Sequence, residues 1–221
     1  MRRPAAHCQA VRLHGVIVTV LIRLAVLIAL VVSCGTSPTV APQDPVAVRV
    51  SPDWMELPDF DELRLSYGER DDLMEACERD RPLREAFEAL EARDWQTVIQ
   101  LSDSWLARCM VDIDFHHLRA VALAELERTS ESAQQLRWRD GLVDSVLRSG
   151  DGKTAETAWI VISVREEYSI LREFGMQRKS QALTRERLDK IEAELDGEIV
   201  TLFFNPEAHF RRLERRRGVT R

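Results

Sequence analysis

The sequence predicts an α+β fold, with helical hairpins in front and a small antiparallel sheet behind. Three observations carry this expectation. Between residues 59 and 149 apolar side chains recur at helical spacing. Around 158–162 and 189–204 the pattern changes to continuous or alternating runs rich in β-branched and aromatic residues. Between two of those runs lies Asp196-Gly197, a two-residue hairpin signal. The helical region is assigned to 59–149 and a small α+β region packed on it to 150–221, behind an N-terminal address (1–33) and a flexible tether (34–58).

The address comes first in the chain. Leu13 to Val32 is almost entirely apolar, broken by Arg23, and three arginines but no acid lie upstream. That is the charge and hydropathy layout of an export signal. Val31-Val32-Ser33-Cys34 then resembles a bacterial lipobox, which implies cleavage before Cys34 and acylation of its sulfur. The competing reading is a single-pass anchor, for which the apolar run is near the lower limit of length. From Gly35 to Pro58 five prolines with Ser, Thr and Gln and no helical period describe an extended, solvated tether. Gly35, not aspartate, follows the cysteine; by resemblance to lipoprotein sorting this favours the outer membrane. The expected location is the bacterial cell envelope, facing the periplasm, with the membrane as a partner through acylated Cys34.

Net charge is -6 over the chain, and without residues 1–33 there are 27 basic against 37 acidic residues. Phosphate binding needs a surplus of Lys and Arg, so nucleic acid is excluded as the main partner.

In the helical half, Asp59 can cap a helix with Phe60, Leu63 and Tyr67 on one face. Pro82 suits the first position of a second helix carrying Leu83, Ala86, Phe87 and Leu90. Asp94 restarts the chain, with Trp95, Val98, Ile99, Ser102 and Trp105 on the next face. A helix from Asp112 or Asp114 is apolar most of the way round. One from Ser130 to Arg148 shows Ala133, Leu136, Val143 and Leu147, with Gly141 implying close packing. Aligning Arg93-Asp94 with Arg128-Thr129 gives an offset of 35 residues, which resembles a degenerate tetratricopeptide repeat. Two such repeats leave an open face, and Trp159 and its neighbours are the expected cover.

Gly150-Asp151-Gly152 is a turn signal. The apolar run Ala158 to Ile162 reads as a strand buried on both faces. Ser163 and Glu166 have capping-box spacing ahead of a short helix stopped at Gly175, with Val164, Tyr168 and Leu171 as its apolar face. Gly152-Lys153-Thr154 lacks the first glycine of a phosphate loop, since that place is Leu147. Further strands are expected at 180–184, 189–195 and 199–204, then a helix from Asn205-Pro206 with Phe210 and Leu213. The terminal arginines from Arg211 to Arg221 read as a solvated helix end, or as a contact for anionic head groups.

The block from Ser149 to Tyr168, with Gly141-Leu142 and Ser145-Val146-Leu147 before it and Phe203-Phe204-Asn205 behind it, resembles the bacterial family called domain of unknown function 4919. The resemblance spans roughly residues 59–210, with a shortened stretch between Gln181 and Glu198. It implies an exported protein with a helical front, and marks Gly150, Asp151, Gly152, Glu166, Glu167 and Tyr168 as family-block candidates. It implies no activity.

Reactive sets are sparse. His116-His117 with Asp112 and Asp114 is a metal suspect, but adjacent helical side chains point about 100° apart, so no metal and no cofactor is expected. Cys77 and Cys109 can form a disulfide in an oxidising compartment; the alternative is two buried thiols. Asp151, Glu156, Glu166 and Glu167 could form an acidic site near the turn, although Glu166 and Glu167 also suit the start of a helix. No catalytic residue is assigned. The favoured expectation is a non-enzymatic interaction module binding a protein or peptide partner. The alternative is an envelope hydrolase or small-ligand binder using the acidic turn.

Overall fold

The structure, a computed structural model, describes residues 57–218. The expected signal peptide, Cys34, Arg221 and nearly all of the tether lie outside the described residues. The element order is α1 (Phe60–Glu69), a π-helical turn (Met74–Glu78), α2 (Leu83–Glu91), α3 (Trp95–Leu106), α4 (Ile113–Glu125), α5 (Thr129–Leu147), β1 (Trp159–Ile160), α6 (Val164–Glu173), β2 (Gln177–Leu183), β3 (Asp189–Leu195), β4 (Glu198–Asn205) and α7 (Glu207–Arg216). The fold is therefore α+β, as expected.

The helix starts are chemical. Asp59, Asp94 and Asp112 each accept a first-turn backbone N–H, from Asp61 and Glu62, from Thr97, and from Phe115 respectively. Pro82 is the residue before α2, one place earlier than expected. Helices α2 to α5 stack in sequence, each packing on the next. The turns after α2 and α4 are the same motif. Arg93 and Glu127 have φ of 57° and 59°, and Asp94 N and Arg128 N donate back to the Ala89 and Leu123 carbonyls. The equivalent residues are Arg93 and Glu127, so the offset is 34 and not 35. The alignment of Arg93 with Arg128 was one residue out, because without a turn glycine nothing in the sequence marks the left-handed position. Glycine there relieves the Cβ clash. Glu127→Gly is expected to raise stability by about 0.5–1 kcal/mol, read as a higher urea midpoint with an unchanged slope.

The buried face of α5 is Ser132, Gln135, Leu142, Ser145 and Val146; Ala133 is exposed. The predicted apolar stripe is displaced because three of the buried residues are polar and partnered: Ser132 Oγ donates to the Ala120 carbonyl, Gln135 meets His116, and Ser145 Oγ accepts from Arg64. The cover for α5 also differs from expectation. Helix α1 lies on it, and a Cβ at Gly141 would sit 2.1 Å from the Phe60 ring. Gly141 is thus the seat of Phe60, which also meets Trp138 edge-on.

The sheet has the order β1-β4-β3-β2. Strands β2, β3 and β4 form an antiparallel meander, with Asp196 and Gly197 at φ 52° and 85° in the β3–β4 turn. Strand β1 corrects the reading of Ala158–Ile162. It is two residues long, parallel to β4, and at an edge, with Trp159 opposite Phe204. Trp159 is buried and Ile160 is 41% exposed, so the run is not covered on both faces. Trp159, Val161 and Ile162 nonetheless join the common core, and β1 touches α5.

Candidate functional site

The turn at 150–157 is self-contained. The Asp151 carboxylate accepts from Lys153 N at 3.0 Å and from Thr157 Oγ1 at 2.5 Å, which holds its pKa below the usual value, the Thr157 bond first. Gly152 has φ 67°, and a Cβ there would press on the Trp159 ring at 2.8 Å. The Gly150 carbonyl accepts from Trp159 Nε1, and the Gly152 carbonyl from Phe203 N. The turn anchors Trp159 to the sheet.

Helix α6 starts at Ser163, whose Oγ accepts from Glu166 N at 3.3 Å. Its buried side is Glu166, Glu167, Ser169, Ile170 and Leu171, a face displaced from the predicted Val164, Tyr168 and Leu171. Glu166 Oε2 accepts from Arg64 Nη1 at 3.1 Å and from Ile162 N at 2.8 Å. The second bond goes to Ile162, not back to the cap residue. Arg64 is 1% exposed and also donates to Ser145 Oγ and to the Ile160 and Ser145 carbonyls. Burial raises the Glu166 pKa despite that guanidinium. Tyr168 Oη donates to Gln181 Oε1 at 2.6 Å, beneath Arg178.

Glu167 is fully buried, accepts from Gln181 Nε2, and has Asp189 of β3 as a neighbouring carboxyl group. Burial first, then the neighbouring Asp189, push its pKa up to about 10. The folded chain therefore keeps a proton that the unfolded chain gives up near its ordinary value. This contribution to stability is full below about pH 4.5 and declines towards pH 10, by at most about 1.4 kcal/mol per pH unit. Glu167→Gln removes the titration. It is expected to be about 2 kcal/mol more stable than wild type at pH 7, a gap that closes towards pH 4; denaturant titrations at several pH values measure it.

The four carboxylates of the expected acidic site thus have separate partners and environments: Asp151 and Glu156 are exposed, while Glu166 and Glu167 are buried. They do not form one site.

A second buried network joins the helices to α6. Arg81 spans Asp112 (2.6 and 2.7 Å) and Asp114 (2.5 Å), and Arg172 takes Asp114 from the other side at 2.5 and 2.9 Å. Trp105 Nε1 donates to Asp112, and Ser169 Oγ to Asp114. These aspartates are tied to arginines. Among the described residues no three or more His, Cys, Asp and Glu side chains are grouped so as to hold a metal ion. His116 is buried between Gln135 and the Met110 carbonyl and stacks on Trp138; burial lowers its pKa. His117 points elsewhere, towards Arg139 and Glu173. Cys77 and Cys109 form a disulfide, with Cα atoms 5.0 Å apart.

Several of the terminal arginines are exposed, as a solvated end would be, but they are also paired. Arg211 pairs with Glu69, Arg215 with Asp71, and Arg216 with Glu75. Arg212, 1% exposed, donates to the Gly68 and Ile162 carbonyls. Sequence reading missed the buried Arg64 and Arg212, since an arginine on an apolar-looking face carries no periodic signal.

One groove has the form of a recognition site. It has a volume of about 310 Å³ and is lined by Phe87 of α2, Asp114, His117 and Leu118 of α4, and Arg172 and Glu173 of α6. The first helices of both 34-residue pairs form one wall and α6 closes the other. Burial raises the Glu173 pKa, against His117 and Arg139. Apolar Phe87 and Leu118 lie beside a guanidinium, an imidazole and a carboxylate, a mixture suited to a polypeptide segment. No two of its side chains form a nucleophile–base pair.

A family model described as a domain of unknown function (DUF4919) matches residues 71–214. No curated protein and no solved structure matches the chain.

Proposed function

The chain belongs to the DUF4919 family, and from that premise we propose that it is a non-enzymatic envelope lipoprotein whose folded body binds a protein or peptide partner. The observation supporting the binding role is the groove between α2, α4 and α6, built on two stacked helix pairs of tetratricopeptide length. A bound segment would place an apolar side chain on Phe87 and polar groups on Arg172, His117 and Glu173. The lipoprotein reading is supported by the arginines, apolar run and lipobox that end at Cys34. In it, acylated Cys34 anchors the chain to the membrane, possession of Gly35 favours the outer one, and the proline-rich tether sets the body off the surface. Among the described residues no helix is long and apolar enough to cross a membrane.

Two experiments test this. Intact mass of the mature protein is expected to show acylated Cys34 as its first residue; any other first residue removes the lipoprotein reading. Wild type, Phe87→Glu and His117→Glu, solubilised from envelope in detergent, are then compared for co-purified protein. The groove reading expects a stoichiometric companion with wild type that both variants lose while keeping the wild-type melting temperature. Equal recovery with all three sinks it.

A further inference from the structure

The two buried ion-pair networks approach each other across a cavity of about 30 Å³. Its lining includes Arg81, Asp112, Ser163, Arg165 and Glu166 together with the Cys77–Cys109 disulfide. Three of these groups have hydrogen-bonding capacity that no protein group uses. Glu166 Oε2 serves Arg64 and Ile162, but Oε1 is buried without a partner. Ser163 Oγ accepts from Glu166 N, so its own hydrogen is free to donate. Arg81 commits Nε and Nη2 to Asp112 and Asp114, which leaves Nη1.

A buried carboxyl oxygen without a partner is destabilising, and a polar cavity of this size takes one water. We propose that this cavity is a binding site for a single internal water, which bridges Glu166 Oε1 to Ser163 Oγ and Arg81 Nη1. The water joins Arg64–Glu166 to Arg81–Asp112–Asp114–Arg172 in one hydrogen-bonded chain, from α1 through α6 to the front of α4. Oε1 accepts from the water when Glu166 is ionised and donates to it when protonated, so the site does not depend on that charge. The volume suits one water and nothing larger, and the lining charges balance, Arg81 and Arg165 against Glu166 and Asp112.

The test is a crystal structure of the full chain in detergent, at a resolution showing ordered solvent. The expected result is one peak of water strength about 2.6–3.2 Å from Glu166 Oε1 and from at least one of Ser163 Oγ and Arg81 Nη1. A dry cavity, Glu166 Oε1 bonded to a protein group, or an anomalous chloride peak each overturns the proposal. A thermal double-mutant cycle of Ser163→Ala and Glu166→Gln is the second measurement. Their side chains do not bond directly, so a bridging water makes the two shifts in melting temperature non-additive, and additive shifts count against it.

Discussion

Arg64→Ala is expected to lose about 3–5 kcal/mol of folding stability, because it leaves Glu166 buried without its counter-ion. The guanidinium satisfies four acceptors at once: Glu166, Ser145 Oγ, and the carbonyls of Ser145 and Ile160. It ties α1 to α5, β1 and α6, so the loss is felt at the junction of both halves. The deficit also depends on pH. Burial raises the Glu166 pKa, so the favourable protonated form is fully present below the unfolded value near 4.5 and its advantage is lost as pH rises. Without Arg64 that pKa rises further, and the gap between variant and wild type widens from pH 4 to pH 8. Arg64→Met combined with Glu166→Gln removes both charges while keeping an acceptor for Ile162 N, and is expected to recover more than half of the loss. Urea unfolding at pH 4 and pH 8 measures all three. A cost of Arg64→Ala below about 1 kcal/mol at pH 8 contradicts the account.

Cleaving the Cys77–Cys109 disulfide has the second large effect. The bond spans 32 residues, for which chain-entropy arguments give about 3–4 kcal/mol. It links the π-helical turn to the turn between α3 and α4, next to Arg81 and Asp112, so opening it also loosens the front of α4. For a body of this size the melting temperature is expected to fall by about 8–15 °C in a strong reductant or in Cys77→Ser with Cys109→Ser. Unreduced protein is expected to resist alkylation at both positions. Alkylation without reduction, or an unchanged melting temperature, shows that the bond does not form or does not matter.

Much of the fold was legible, and the reasons are local. Asp59, Asp94 and Asp112 announce helix starts because a short carboxylate finds a free N–H one turn on. Asp196-Gly197 announces its hairpin because both residues tolerate positive φ. Gly141 announced close packing, and Phe60 fills the place. What escaped depended on partners distant in sequence. Ser132, Gln135 and Ser145 set the buried face of α5 through contacts with α4 and Arg64, which apolar periodicity does not register. Glu166 and Glu167 look like ordinary first-turn acids until Arg64 and Asp189 arrive from α1 and β3. The groove was illegible for the same reason: its walls come from three helices separated by some 85 residues.

The clasp between α7 and the start of the body has a consequence for how the protein is made. Arg211, Arg212, Arg215 and Arg216 hold Glu69, the Gly68 carbonyl, Asp71 and Glu75, across more than 140 residues of chain. A polypeptide emerging amino end first from a ribosome cannot fasten α1 in this way until α7 has cleared the exit. Nascent molecules therefore stay unlatched until α7 has emerged, and one lacking Arg211 to Arg216 never latches.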